Sequence, residues 1–343
     1  MPRLALLPRA NANRVYGESA FALTAAELAA LGRGPLGGAL GPATRETIGG
    51  VDYLVAATQG PLPDRQRRIL SNLSGLHALF ELVDGGMLRP LEVDLRAVLD
   101  DDLLTIQRYS GKTNETFTHL LVNLALAQCP DGHARLVDGE RLTLLDPMCG
   151  RGTTLNRAAV YGMDAIGVEA DRRHVDAFTS FFTTWLQDKR LRHKVERATL
   201  RKGRPVPVPV WRATYGEGRD VAHHRWVEVV QADTATTPEH VSPGSVDVVV
   251  CDLPYGVQHG ARREASLART PEALLEAALP GWARALRPGG GVALAWNRRT
   301  LPRSHLAELV IGAGLEVPTP DDDVFVHRVD RSITRDVLVA QRR

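Results

Sequence analysis

From residue 141 to the C-terminus, short and almost wholly apolar runs alternate with stretches in which apolar side chains recur at helical spacing. Strands that are covered on both faces have such apolar sequences. Their alternation with helices is typical of βαβ units in a parallel sheet. We therefore expect a Rossmann-like α/β fold. The predicted parallel strands are 142–146, 165–169, 226–231, 246–251 and 291–296.

Helices are expected between these strands. The first covers 153–162, and the second starts near Asp171 and carries a stripe of large apolar residues that indicates a buried face. A third begins at Pro271 and ends in "RPGG", where Gly289 can take the left-handed conformation of a helix cap.

The C-terminal segments 323–330 and 333–341 are separated by a short turn, so they should form an antiparallel hairpin at the sheet edge. Together with the five parallel strands, this predicts a mostly parallel sheet of seven strands. The main domain would then cover residues 101–343.

A weaker pattern occupies the first 100 residues, where Gly- and Pro-rich pieces separate short periodic stretches. We expect a small N-terminal α+β region over residues 1–100, which could be a reduced substrate-binding module. Its predicted elements are strands at 3–8 and 51–58 and helices at 23–32 and 67–83.

Composition narrows the class of protein. The chain has 343 residues, no apolar run of about 18 residues, and an N-terminus too short and arginine-broken for a signal peptide. We therefore expect a cytoplasmic protein without membrane contact. Three cysteines without paired spacing indicate reduced thiols, and His223 and His224 lack metal-ligand spacing, so no metal is expected. We also expect a monomer.

Charge is distributed unevenly along the chain. The formal net charge is only +2, but residues 187–226 hold eleven Lys and Arg against four Asp and Glu, a local charge of +7. Such a basic insertion favours contact with a polyanion, although a solvated charged loop would look the same. The candidate contacts within it are Arg201, Lys202 and Arg204.

The segment "LLDPMCGRGTTLNRAA" (144–159) has the order of strand, glycine turn and helix. Gly150 and Gly152 allow the backbone to approach a ligand, and the helix N-terminus offers free N–H groups. A P-loop would need a lysine before the final threonine, Thr154, and the nicotinamide fingerprint would need a third glycine, so neither pattern fits. S-adenosylmethionine is the remaining candidate.

Acidic residues stand at the ends of three successive predicted strands. Asp146 can face the ammonium group of the cofactor, Glu169 can accept from the ribose hydroxyls, and Asp233 can accept from the adenine amino group. Ligands of open α/β sheets bind outside the carboxyl ends of the strands, which favours a shared site. Alternatively, each acid could merely cap a helix.

The stretch "DLPYG" follows the fourth predicted strand. An exocyclic amine on a heteroaromatic ring is a poor nucleophile, and two acceptors on its hydrogens favour attack by its lone pair. The Asp252 carboxylate and the Leu253 carbonyl can supply them, with Pro254 stiffening the loop and Tyr255 stacking on the base. The alternative is a simple strand-to-loop turn.

Basic residues follow this motif in "VQHGARRE". His259, Arg262 and Arg263 could hold the phosphates that flank a flipped base, because arginine and histidine side chains bind phosphate oxygens. They could equally be part of a solvated loop.

Together, "DPMCGRGTTLNRAA", "GVEAD", "QAD" and "DLPYG" resemble a class I S-adenosylmethionine-dependent methyltransferase, and among these the THUMP-associated tRNA guanine-N2 methyltransferases. The resemblance covers about 105–343, including "RYSGKTNETFTHLLVNLALA" (108–127), and departs at Leu253, where proline is commoner, and in its shorter N-terminal region. It implies that Lys112, Thr113 and Asn114 lie near the methionine end of the cofactor. It further implies cofactor contacts at Asp146, Gly150, Gly152, Thr153, Glu169 and Asp233.

We therefore predict an S-adenosylmethionine-dependent N-methyltransferase that acts on an exocyclic amine, with guanine N2 in tRNA as the expected acceptor. Methylation of a small molecule or peptide is the main alternative, since the N-terminal region is short. Methylation of adenine N6 in DNA is a second alternative, because it needs the same amine chemistry. A non-catalytic scaffold is the third alternative, and an intact "DLPYG" disfavours it.

Overall fold

Two β-sheets organise the chain. The computed structural model describes residues 2–9, 14–200, 207–216, 224–254, 270–318 and 323–343. Within these ranges the strands are β1 (Arg3–Pro8), β2 (Thr44–Ile48), β3 (Val51–Ala57), β4 (Leu76–Val83), β5 (Met87–Leu91), β6 (Thr143–Asp146), β7 (Asp164–Glu169), β8 (His193–Leu200), β9 (Val208–Tyr215), β10 (Arg225–Gln231), β11 (Val246–Asp252), β12 (Leu286–Asn297), β13 (Leu315–Glu316), β14 (His327–Arg328) and β15 (Thr334–Arg342). The α-helices are α1 (Arg14–Arg33), α2 (Asp64–Ser71), α3 (Asp102–Thr105), α4 (Glu115–Ala127), α5 (Gly132–Asp138), α6 (Thr153–Tyr161), α7 (Arg172–Asp188), α8 (Pro271–Ala285) and α9 (Arg303–Gly312).

The N-terminal sheet is antiparallel, with the strand order β2-β3-β1-β4-β5. The strands predicted at 3–8 and 51–58 are confirmed as β1 and β3. The single helix predicted over 67–83 is wrong, because α2 ends at Ser71 and the remaining residues form β4. The apolar run "LHALFELV" is compatible with a helix or with a strand. It forms a strand here because it pairs with both β1 and β5.

The second sheet has a parallel centre in the order β10-β7-β6-β11-β12, and β15 lies antiparallel to β12. With β13 beyond β15, seven strands form the Rossmann-like arrangement that the sequence predicts. One strand differs from the prediction, because β13 at Leu315–Glu316 was not expected, whereas only two residues of the predicted strand 323–330 pair, as β14. The complete sheet is larger, with ten strands, because β8, β9 and β14 also pair in it.

Helices cover both faces of this sheet, which explains why its central strands are apolar throughout. One core contains buried residues of α4, α6 and α7, including Phe117, Leu121 and Phe178. The other contains buried residues of α8 and α9, including Trp282 and Leu306. Neither face of the central strands is left to water, as expected for a parallel sheet.

The basic segment 187–226 contains the antiparallel hairpin β8–β9, which extends the sheet beyond β10. One face of β9 is buried rather than solvated. Its Trp211 packs edge-on against Phe178 and Phe182 of α7, with ring centroids 5.9 and 6.1 Å apart. The hairpin is therefore part of the core on the α7 side.

Near the C-terminus, two predictions are refined. Gly289 does have a positive φ of 74°, but it lies within β12 and does not cap α8, which ends at Ala285. The C-terminal antiparallel hairpin is confirmed by the pairing of β14 with β15, and β14 is only two residues long. The division into domains at residue 100 stays a prediction.

Candidate active site

Three carboxylates lie at the carboxyl ends of adjacent parallel strands: Asp146 ends β6, Glu169 ends β7 and Asp252 ends β11. Asp146 is buried, with 3% of its surface exposed. Its pKa is raised to about 7, chiefly by burial and to a smaller extent by the negative charges of Asp252 and Glu169, although the hydroxyl of Thr154 and the amide of Met148 donate to it. The three carboxylates thus lie close together in one acidic cleft at the strand ends, and this cleft would attract a cation.

The glycine turn between β6 and α6 lies against Glu169. The amide of Gly150 donates to Oε2 of Glu169 at 3.0 Å, and the amide of Asp171 donates to Oε1 at 2.7 Å. Gly150 has a φ of 53°, and a Cβ built on it would meet no atom within 4 Å, so this part of the turn faces open space. A Cβ on Gly152 (φ 79°) would lie 2.1 Å from the ring of Phe178, so the backbone there must approach the core closely.

A tyrosine of the segment 108–127 covers the start of α6, and no role was predicted for it from the sequence. The hydroxyl of Tyr109 is 2.9 Å from Oγ1 of Thr153, and the guanidinium of Arg151 lies over the Tyr109 ring, 4.8 Å from its centroid. Thr153, predicted as a cofactor contact, is therefore held by Tyr109 beside the glycine turn. Only the fold reveals this contact, since the two residues are 44 positions apart.

Asp252 contacts groups from distant parts of the chain. Oγ1 of Thr113 donates to Oδ2 of Asp252 at 2.6 Å, and Nη2 of Arg335, on β15, lies 3.8 Å from the same oxygen. Arg335 is itself buried and stacks on Phe117, with 4.4 Å between its Cζ and the ring centroid. The sequence predicts a place near the cofactor for Thr113 and does not point to Arg335. Both residues are far from Asp252 along the chain, so no local sequence pattern indicates their contacts with it.

The other predicted residues of the "KTN" segment have structural partners. Nζ of Lys112 donates to the carbonyl of Leu104 and to Glu115, both at 2.5 Å. Asn114 is the N-cap of α4, where its side chain accepts from two backbone amides of the first turn. Their predicted place near the methionine end of the cofactor stays a prediction.

Asp233 follows β10 and caps a short 3-10 helix, accepting from the amide of Ala235 at 2.9 Å. This is the capping role that the sequence left open for each acid. The contact of Asp233 with the adenine amino group stays a prediction. Glu169, by contrast, is not a cap, because both of its oxygens bind amides of neighbouring turns.

In the "DLPYG" motif, the structure describes residues up to 254. The amide of Leu253 donates to the carbonyl of Ala295 on β12 at 2.8 Å, and the Leu253 side chain is buried, whereas Pro254 is exposed. The remaining predicted site residues lie outside the described ranges. These are Tyr255, His259, Arg262, Arg263, Arg201, Lys202 and Arg204.

The chain matches the model of a known protein family. The model of the RMKL-like methyltransferase domain matches residues 122–309, more than half of the chain. The chain belongs to this family. This chain, an RMKL-like methyltransferase, is therefore an enzyme that uses S-adenosylmethionine, as the sequence predicted.

Solved structures similar to the RMKL-like methyltransferase include TrmN from Thermus thermophilus, with 16% identity, a TM-score of 0.39, and coverage of 86% of this chain and 57% of that one. A putative RNA methyltransferase, PH1948 from Pyrococcus horikoshii, has 16% identity, a TM-score of 0.38, and coverage of 70% and 94%. A TehB-like SAM-dependent methyltransferase from Corynebacterium glutamicum has 16% identity, a TM-score of 0.35, and coverage of 61% and 86%. No curated protein sequence matches the chain.

The residues of the cleft fit S-adenosylmethionine. Asp146 is a buried acid whose pKa is raised by its neighbours, so an ammonium group beside it would relieve the cost of its charge. The open space above Gly150 provides room for a ligand next to backbone, and Glu169 stands at the next strand end. Asp146, Gly150 and Glu169 are therefore the residues that would hold the cofactor.

In the described part of the chain, no helix is long and apolar enough to cross a membrane. Within the same residues, no group of three or more His, Cys, Asp or Glu side chains is arranged to hold a metal ion.

Proposed function

We propose that this methyltransferase modifies the exocyclic N2 amine of guanine in tRNA. The observation that carries the proposal is the fixed carboxylate of Asp252 at the end of β11, in the same cleft as Asp146. Thr113 and Arg335 both address one oxygen of this carboxylate, Oδ2. A carboxylate held in this way at the strand end can accept a hydrogen bond from an amine.

This arrangement suits an aromatic amine because such a nucleophile needs its lone pair freed from the ring. Asp252 accepts one N–H, and the carbonyl of Leu253 can accept the second. The amide of Leu253 is anchored on Ala295, which fixes the direction of the loop after Asp252. S-adenosylmethionine, when bound, supplies the methyl group as an electrophile. Asp252 stabilises the positive charge that develops on the amine nitrogen, and the proton released can pass to it or to water.

The basic segment supports an RNA substrate. Strand β8 carries exposed Lys194 and Arg197, and the connection from β8 to β9 contains Arg201, Lys202 and Arg204 in the sequence. Cations on an extended hairpin can neutralise backbone phosphates, which provide most of the sequence-independent affinity for nucleic acid.

The direct test is methylation of unmodified tRNA in vitro, followed by mass spectrometry of its nucleosides. Wild-type protein should form N2-methylguanosine. Asp252→Asn, which keeps the shape of the side chain, should lower turnover by about 100-fold or more and leave the affinity for S-adenosylmethionine unchanged by calorimetry.

Two results would contradict the proposal. One is a wild-type protein that leaves every tRNA guanine unmodified but methylates an amine on a small molecule or peptide. The other is an Asp252→Asn variant with wild-type turnover, which would make "DLPYG" a structural turn.

A further inference from the structure

A cavity of about 200 Å³ lies between the N-terminal region and the methyltransferase sheet. Its walls come from α1 and from the turn at Ser74 and Gly75 on one side. On the other side they come from the start of α4 and from His327 and Arg335. Arg335 lines the cavity and also lies 3.8 Å from the carboxylate of Asp252, so this side chain connects the cavity with the proposed catalytic residue.

We propose that this cavity receives the guanine base that accepts the methyl group, and that α1 and the Ser74 turn form the half of the acceptor site that the methyltransferase domain lacks. The inference rests on the proposed function. It assigns residues 1–100 a role in binding the acceptor base.

The size and lining of the cavity suit a single flat base. An engineered cavity of about 150 Å³ in another protein accommodates benzene, so about 200 Å³ has room for a bicyclic ring and little more. Leu23, Phe117 and Leu120 provide apolar surface for the ring. Arg9 lines the cavity and is exposed, which places a cation where the sugar and phosphate of the same nucleotide would emerge.

The polar groups of the cavity favour guanine over adenine. Guanine presents acceptors at O6 and N7, which arginine recognises, and donors at N1 and N2. Arg335 supplies the donors. Nδ1 of His327 lies 2.9 Å from the carbonyl of Phe325, which can only accept, so Nδ1 carries the hydrogen. Burial lowers the pKa of His327, so the ring is neutral at pH 7 and Nε2 is an acceptor.

The N-terminal wall is rigid, as a binding surface must be. Glu27 of α1 accepts from the amide of Ser74 at 3.1 Å and from its hydroxyl at 2.5 Å, and all three groups are buried. A Cβ on Gly75 would lie 2.0 Å from Oγ1 of Thr24, so the turn and the helix are in close contact. These contacts hold α1 closely against the Ser74 turn.

The experiment compares two identical substitutions two residues apart on α1. Ala20 lines the cavity, whereas Ala22 is exposed and does not. Ala20→Trp should fill the cavity and lower both the affinity for GMP and kcat/KM on tRNA by about tenfold or more, since a single large side chain occupies the space of the base. Ala22→Trp should stay within about twofold of wild type. Both variants should keep wild-type affinity for S-adenosylmethionine.

Binding is measured with GMP and AMP by ligand-observed NMR, which detects millimolar affinity and needs no turnover. Wild-type protein should prefer GMP. His327→Phe keeps a ring at the cavity wall but removes the acceptor, so it should reduce the preference for GMP over AMP; it also serves as the test if Ala20→Trp does not fold.

Equal GMP binding by wild type and Ala20→Trp would overturn the inference, and so would absence of GMP binding by wild type. If GMP binding depends on the cavity but no tRNA guanine is methylated, the proposed function fails, and the cavity is a purine site that does not hold the methyl acceptor. If tRNA is methylated equally by all variants, the proposed function stands and the cavity does not hold the base.

Discussion

At the scale of single residues, the active site is built from side chains whose surroundings determine what they do. Asp146, Glu169 and Asp252 are all acids at strand ends, yet each has different partners. Asp146 is buried with its pKa raised to about 7, Glu169 binds the amides of two turns, and Asp252 is held by Thr113 and Arg335. Three acids in equivalent positions can therefore serve different parts of one reaction.

The raised pKa of Asp146 predicts a pH dependence of cofactor binding. Only the carboxylate form can pair with the ammonium group, so below pH 7 binding must first remove a proton from Asp146. The affinity for S-adenosylmethionine should fall about tenfold for each pH unit between about pH 7 and 5.5. Calorimetry at several pH values checks this. Asp146→Asn should bind more weakly at pH 7 and show no such slope; an equal slope in the variant would assign the proton to another group.

Thr113 predicts a second effect at this scale. Thr113→Val keeps the shape of the side chain but removes the hydrogen bond to Asp252, a bond to a charged group worth about 1.5–3 kcal/mol. Turnover should fall by about 10- to 100-fold while cofactor affinity is retained. The exposed Thr105→Val is the matched control and should leave turnover unchanged. A Thr113→Val variant that instead loses cofactor affinity would support the placement inferred from sequence.

At the scale of elements, the glycine turn joins β6 to α6 and packs against α7. The two glycines have the same left-handed conformation but different surroundings, because Gly150 faces open space and Gly152 faces Phe178. The ring of Phe178 also contacts Trp211 of β9. The position of the turn is thus connected through α7 to the inserted hairpin.

Gly152→Ala and Gly150→Ala should therefore separate stability from binding. Gly152→Ala adds backbone strain and a clash with Phe178, together about 2–5 kcal/mol. Gly150→Ala adds only the strain, about 1–2 kcal/mol, but places a methyl group where the ligand would lie. Thermal unfolding should show the larger loss for Gly152→Ala, and calorimetry should show weakened cofactor binding for Gly150→Ala. Equal unfolding temperatures would show that Phe178 moves aside without cost.

The hairpin β8–β9 carries a further prediction at this scale. Reversing Arg201, Lys202 and Arg204 to Glu should weaken tRNA binding and reduce the steepness of its salt dependence, because fewer counterions are released. Affinity measured over a range of salt concentrations checks this, with calorimetric binding of S-adenosylmethionine as the control. An unchanged salt slope would show that tRNA binds another surface.

Elements with strong local patterns could be predicted from the sequence, whereas contacts between distant residues could not. The five parallel strands were evident because burial on both faces makes them apolar throughout. The hairpin strands β8 and β9 were missed because their polar alternation was concealed by the charge of the segment. Thr113 and Arg335 contact Asp252 only in the folded chain, so no spacing of residues in the sequence predicts these contacts.

At the scale of the whole molecule, a buried polar network joins the two sheets. Glu27 of α1 accepts from Asn123 of α4 at 2.6 Å, Tyr161 of α6 donates to the same Asn123 at 2.8 Å, and Ser74 donates to Glu27. Burial raises the pKa of Glu27 to about 7, against 4.5 for an exposed group. The N-terminal region is thus tied to helices that frame the cofactor site.

This network predicts that the protein loses stability as pH rises. Between about pH 4.5 and 7 the folded protein keeps a proton on Glu27 that the unfolded chain has released, so raising the pH favours unfolding. The loss should total on the order of 3 kcal/mol. Urea titrations at pH 5 and pH 8 should show a loss of stability in wild type and in the exposed control Glu92→Gln that exceeds the loss in Glu27→Gln by about this amount. The buried Asp146, whose pKa is also raised to about 7, contributes a loss that remains in all three proteins. The same loss in all three would show that Glu27 is ionised at pH 5.

The extended sheet also determines which edge strands are open to pairing with another copy of the chain. Without the hairpin, β10 would be an open edge, but with it the outermost strand is β8, which exposes Lys194, Glu196 and Arg197. At the opposite edge, β13 is only two residues long. Charged or very short edge strands are poor templates for a strand from another chain. The insertion therefore protects a large, apolar sheet against aggregation, whatever else its charges bind.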